Sequence, residues 1–218
     1  MPADPHSKPH PAAAVSSRDR ILQAAKQLFA RRGYENTSTV AIARQAGTSE
    51  SQLMKHFGSK EGLLEAIFES GWSAMSQAFP QVLALPARTA RLRGLLDLLL
   101  QGLERDPELK ELMLLEGRRI RKEGNMVLMT SGFMELVKAI DAVLSEMQTA
   151  GELRPGVHPQ AMRSAMIGMF EGLLRDQLLA QRVHYPATYG SKQISEIFDL
   201  MLSCFVTGGA APAKGHKK

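Results

Sequence analysis

Apolar side chains recur every three to four residues over most of the chain, and polar punctuation cuts this pattern into helices. Ile21, Leu22, Ala25, Leu28 and Phe29 fall at i, i+1, i+4, i+7 and i+8. They predict an amphipathic first helix that begins near Ser16 or Ser17 and ends before Gly33. Thr37 or Ser38 offers a hydroxyl cap for a second helix through Val40, Ile42 and Ala43 to Ala46, which Gly47 stops. Thr48 and Ser49 lead into a third, about Glu50 to Phe57, anchored only on Leu53 and Phe57, so most of its surface is free. Gly58 ends that helix. Ser59 caps a fourth that carries Leu63, Leu64, Ile67, Phe68, Trp72 and Met75 toward Phe79, where Pro80 and Pro86 punctuate its end.

Downstream the pattern stays helical and nothing reads as a strand. Leu92, Leu95, Leu96, Leu99 and Leu103 stripe one segment, and Leu109, Leu112, Met113 and Leu115 the next, after Asp106-Pro107. Beyond a break at Gly124-Asn125, a long helix from about Met126 to Thr149 is striped by Phe133, Leu136, Val137, Ile140, Leu144 and Met147. A helix from about Pro159 to His184 carries Ala161, Ala165, Gly168 and Gly172 along one side, small residues that let another helix approach closely. The last, about Ser191 to Thr207, is striped by Ile194, Ile197, Phe198, Met201, Leu202 and Phe205.

Composition narrows the setting. The 218 residues are 44% hydrophobic and carry a net charge of +5, which favours an anionic partner. Eight basic against five acidic residues lie between Arg18 and Glu65, so the small N-terminal unit holds more than half of that surplus. A single cysteine, Cys204, leaves no intrachain disulfide and suits a reducing cytoplasm. The proline-rich residues 1–15 and the small, basic residues 208–218 read as disordered tails, and no export signal is convincing. The richest apolar run, Leu95 to Leu103, is interrupted by Asp97, Gln101 and Gly102, so no membrane partner is expected.

Two short helices joined by a glycine turn, the second with a polar outer face, form a helix-turn-helix suited to the DNA major groove. Here the chain resembles the TetR family of transcriptional regulators. The resembling residues are Ile21-Leu22, Ala24-Ala25, Leu28-Phe29, Gly33-Tyr34, Thr37-Ser38, Ile42-Ala43, Ala46-Gly47, Ser49, Leu53, His56-Phe57, Ser59-Lys60 and Leu63, in one uninterrupted register over about a quarter of the chain. The resemblance implies an all-α fold: a helix-turn-helix DNA-binding domain at 16–62, then a larger helical ligand-binding and dimerisation domain at 63–207. Ser51, Gln52 and Met54 stand where the family commonly has glycine, threonine and tyrosine, and Thr48 replaces an apolar residue. Operator sequence therefore does not carry over.

By this resemblance Glu50, Ser51, Gln52 and Lys55 face base edges, while Thr37, Ser38, His56 and Lys60 hold phosphates. The chemistry agrees: a carboxylate accepts from cytosine, glutamine pairs with adenine, and lysine reaches guanine. Bland readings stand beside these. Ser49 and Gln52 also have capping-box spacing, and Glu50 favours a positive helix end. The family's pocket for a small-molecule effector points to Met113, Phe133, Met134, Met166, Met169 and Phe170, although such a stripe equally suits plain core. Its two-fold four-helix bundle points to a homodimer interface through Gly168, Gly172, Ile197, Phe198, Met201 and Phe205.

The sequence reading is thus a ligand-responsive, cytoplasmic repressor that binds a palindromic operator on double-stranded DNA as a homodimer and is released by a small-molecule effector. An activator, or a pocket filled by a partner protein, stays open. The rival from another class is a helical carrier or small enzyme with an apolar pocket that ignores DNA. Catalysis finds little support, since His158, His184, Glu171 and Asp176 share no ligand or acid–base spacing and no phosphate-cradling glycine loop is present. No cofactor or metal is expected.

Overall fold

The computed structural model describes residues 16–117 and 130–207. Within these are ten helices: α1 (Ser17–Arg32), α2 (Thr39–Gln45), α3 (Glu50–Phe57), α4 (Lys60–Ser76), α5 (Phe79–Leu83), α6 (Arg88–Arg105), α7 (Pro107–Glu116), α8 (Ser131–Thr149), α9 (Pro159–Val183) and α10 (Ser191–Phe205). The described residues contain no strand, only an antiparallel bridge between Leu153 and Val206. The tails, the Gly124-Asn125 break and the start expected near Met126 lie outside the described residues.

Helix ends follow local chemistry. Ser16, Ser38, Ser49, Asp106 and Thr130 each accept a backbone N–H with the side chain, satisfying donors that a first turn leaves orphaned. Gly58 closes α3 at φ 74°, a conformation that a side chain would strain. The fourth helix stops at Ser76, short of the expected Phe79. Pro80 opens a separate five-residue α5 because proline fits the first turn of a helix and not its interior.

The chain divides into two compact units between Leu64 and Glu65. In the first, α1 packs on α2 and α3 around Ile21, Ala25, Ile42 and Leu53, each at 3% exposure or less. In the second, α6, α8, α9 and α10 pack around Leu92, Leu95, Leu136, Leu144, Met166 and Ile194. Gly132 lets α8 approach α4 closely, since a Cβ there would stand 2.4 Å from that of Trp72. Arg93 joins α6 to α10: its guanidinium donates to Asp97 at 3.1 Å and pairs with Asp199. The Asp199 hydrogen bond raises the Arg93 pKa most, desolvation opposes it, and Asp97 adds to the rise. No helix among the described residues is long and apolar enough to cross a membrane.

Candidate nucleic-acid interface and ligand cavity

The helix-turn-helix is held from below and bare above. Gly47, at φ 63°, turns the chain between α2 and α3, and the Thr48 N–H closes the turn on the Ala43 carbonyl at 3.0 Å. Arg20 of α1 donates from Nε to the Ala46 carbonyl at 3.1 Å, which ties the turn to the first helix. With Leu53 fully buried, α3 turns Glu50, Ser51, Gln52, Met54, Lys55 and His56 outward as one exposed row.

Each member of the row has a distinct footing. Glu50 accepts a hydrogen bond from the Thr39 hydroxyl. The Ser49 hydroxyl accepts the Gln52 N–H at 3.2 Å, one half of a capping box, while the Gln52 side chain stands exposed. His56 Nε2 and the Ser17 hydroxyl are 3.0 Å apart, so the C-terminal end of α3 is tied to the start of α1. Lys60 sits at the first position of α4 with its ammonium 4.2 Å from the Tyr34 ring centroid and 3.5 Å from the Glu35 carbonyl. This footing fixes the charge without neutralising it. Ser38 is exposed, and its hydroxyl caps Ala41 at 3.2 Å.

Thr37 must be removed from the phosphate set. It is 2% exposed, and its hydroxyl donates to the Gly33 carbonyl at 2.9 Å with the Leu28 carbonyl as a second acceptor 3.3 Å away, sharing its one hydrogen and fastening the loop to the end of α1. Ser38, and not Thr37, is the cap. The sequence reading also passed over Thr39, Ser17 and Arg18. Arg18 lays its guanidinium 5.3 Å over the Phe57 ring, beside the same exposed row. Its place on the outer face of the first helix was visible, but its stacking partner 39 positions away was not.

In the second unit a cavity of about 410 Å³ opens among α4, α6, α7, α8, α9 and α10. Phe68, Trp72 and Met75 form one wall, with the leucine stripe of α6 beside it. Trp72 and Phe133 face each other with ring centroids 5.5 Å apart. Of the expected pocket residues, Met113, Phe133, Met166 and Phe170 line the cavity, whereas Met134 and Met169 do not. The helical repeat explains the correction: Phe133, Leu136 and Ile140 share one edge of α8, and Met134 is turned about 100° away from it. Met169 is displaced in the same way from Phe170 on α9. The α6 stripe was visible as an apolar face, but sequence gave it no cavity role. Glu171 brings a carboxylate to a lining that is otherwise apolar among the described residues.

The expected dimer residues separate. Gly168 is exposed and Gly172 half-buried, and a Cβ added at either meets nothing within 4 Å, so this flank of α9 is open in the single chain. Ile197 is 45% exposed and Leu200 52%, while Met201 and Phe205 are half-buried. Phe198 is corrected: at 2% exposure it lines the cavity inside its own chain, because Ile194, Phe198 and Leu202 form the inward edge of α10.

A capped helix-turn-helix with an exposed polar row, followed by a helical unit that holds an apolar cavity, is the architecture of a DNA-binding regulator. The family model for "Bacterial regulatory proteins, tetR family" matches residues 21–67. The nucleoid occlusion factor SlmA of Vibrio cholerae is 30% identical over 174 residues, covering 73% of this chain and 83% of that protein. The chain belongs to the tetR family of bacterial regulatory proteins. Two solved structures share its fold. SmeT, the repressor of a multidrug efflux pump in Stenotrophomonas maltophilia, aligns with a TM-score of 0.69 at 21% identity, over 93% of this chain and 96% of its own. FadR of Bacillus subtilis in complex with stearoyl-CoA aligns with a TM-score of 0.68 at 19% identity, over 87% and 98%.

Proposed function

We propose that the protein is a homodimeric repressor that occupies a palindromic operator and leaves it when a small apolar molecule enters the cavity. The cavity carries this reading, because about 410 Å³ of apolar space within a folded unit is an opportunity for a ligand to bind and stabilise one conformation. Glu50, Ser51, Gln52 and Lys55 read base edges, and Ser38, His56, Lys60 and Arg18 hold phosphates. One eight-residue helix touches few base pairs, so specificity requires a second copy on a symmetric half-site. The open flank of α9 and the exposed edge of α10 supply the self-complementary surface. Phe68, Trp72 and Met75 lie on the same unbroken helix as Lys60, which gives the ligand a route to the reading heads. FadR with stearoyl-CoA and the repressor SmeT support both halves of this reading.

A footprint on the DNA upstream of its own gene tests it. Two protected half-sites about one helical turn apart are expected, lost when an apolar compound that raises the melting temperature is added. A single unpaired footprint, or one indifferent to every such compound, overturns it. A second reading follows from SlmA, a nucleoid occlusion factor: the DNA-bound protein marks chromosomal territory and acts through a partner protein. Chromosome-wide mapping separates the two, since a repressor occupies few promoters and an occlusion factor many sites dispersed over the chromosome.

A further inference from the structure

The first positions of α2 and α3 are Thr39 and Glu50, and the threonine hydroxyl donates to one carboxylate oxygen of the glutamate across the turn. Both residues lie outside the core; Glu50 is exposed and Thr39 half-buried. A carboxylate on a surface that meets phosphates is repelled by them, so it must be held still if it is to contact a base edge at all. A threonine hydroxyl has one hydrogen to give, and giving it to Glu50 fixes that carboxylate's rotation while its second oxygen retains its lone pairs. In the major groove an acceptor without a donor is matched by the exocyclic amino groups of cytosine and adenine, and is opposed by the oxygens of guanine and thymine.

We propose that Thr39 is a specificity-determining positioning residue: it aims the free oxygen of Glu50 so that one position of each half-site must present an amino group. This rests on the reading of α3 as the helix in the groove. The pair then works mainly by exclusion, since a keto-bearing base at that position faces an unpaired carboxylate in a desolvated groove. Because β-branched valine has nearly the shape of threonine and lacks the donor, it isolates the hydrogen bond.

The test is a set of operator duplexes that differ at each half-site position, titrated with the full-length protein and its variants at one fixed salt concentration. The unaltered protein should prefer amino-bearing bases at one position by about tenfold or more. Thr39→Val should flatten that preference several-fold while leaving the ranking elsewhere and the affinity for random DNA unchanged. Glu50→Gln, whose amide both donates and accepts, should admit keto-bearing bases, and in a Glu50→Ala background, which removes the acceptor, Thr39→Val should change the ranking no further. If Thr39→Val lowers the affinity for all duplexes alike, the hydroxyl serves a phosphate or merely braces the turn, and the proposal is overturned. An unchanged ranking overturns it too. If the unaltered protein shows no preference among duplexes, the reading of α3 itself has failed, which is a separable outcome.

Discussion

Two hydroxyls and an ammonium in the first unit show how a residue's surroundings set its role. Thr37 and Ser38 are adjacent and chemically alike, yet one is sealed inside with two carbonyl acceptors and the other stands at a helix end in the open. Thr37→Val should cost about 1–3 kcal/mol of stability by leaving buried carbonyls short of a donor, with no change in the salt dependence of DNA binding. Thermal or denaturant melting beside a salt titration reads both quantities. Lys60→Ala should do the reverse: binding weakens equally on cognate and random duplexes, the salt slope falls by about one unit, and the melting temperature barely moves. A loss confined to the cognate duplex contradicts the phosphate role. Gln52→Ala distinguishes its two readings, since a base contact alters preference at one position per half-site and a cap alters only stability. The family's motif positions nominated Thr37, Ser38, Gln52 and Lys60 alike. They did not tell Thr37 from Ser38, because which hydroxyl faces inward depends on where the chain leaves α1, a tertiary matter.

At the scale of elements the legible features were those written in local chemistry. Ser38, Ser49 and Gly58 delimit α2 and α3 because capping and left-handed turns depend on a few neighbouring residues, and their boundaries were readable from the sequence. The family register of residues 21–67 lies in this same local text. Helix α10 was harder. It has two apolar edges, one with Ile194, Phe198 and Leu202 and another with Ile197, Leu200 and Cys204, and periodicity cannot say which edge meets its own chain. The first edge is buried and the second is exposed, so a charge has opposite consequences at neighbouring positions. Ile197→Asp and Leu200→Asp should yield a folded monomer with a normal helical signal and much weakened operator binding. Phe198→Asp should instead unfold the second unit, because an isolated carboxylate in that apolar interior costs several kcal/mol. Sedimentation paired with circular dichroism separates these outcomes, and an unchanged sedimentation profile for folded Ile197→Asp removes this edge from the dimer.

For the molecule as a whole, the question is whether cavity and reading row are thermodynamically linked. If ligand lowers operator affinity by some factor, operator must lower ligand affinity by the same factor, whatever structural route joins them. Ligand titrations with and without operator should therefore differ by the same ratio as operator titrations with and without ligand, typically about 5- to 150-fold for such couplings. Leu99→Phe gives a control for that equality. Leu99 is 7% exposed and lines the cavity, where empty space can take a larger ring, so the variant should keep the fold and the operator while ligand affinity drops. Its operator binding should then stay constant at ligand concentrations that release the unaltered protein. Release of both alike places the effector's action outside the cavity. Unequal coupling factors would mean that a third species, such as a partner protein bound with the DNA, takes part in the equilibrium. That result favours the occlusion-factor reading over effector-controlled repression, since a repressor answering to one ligand and one operator has no other component to carry the imbalance.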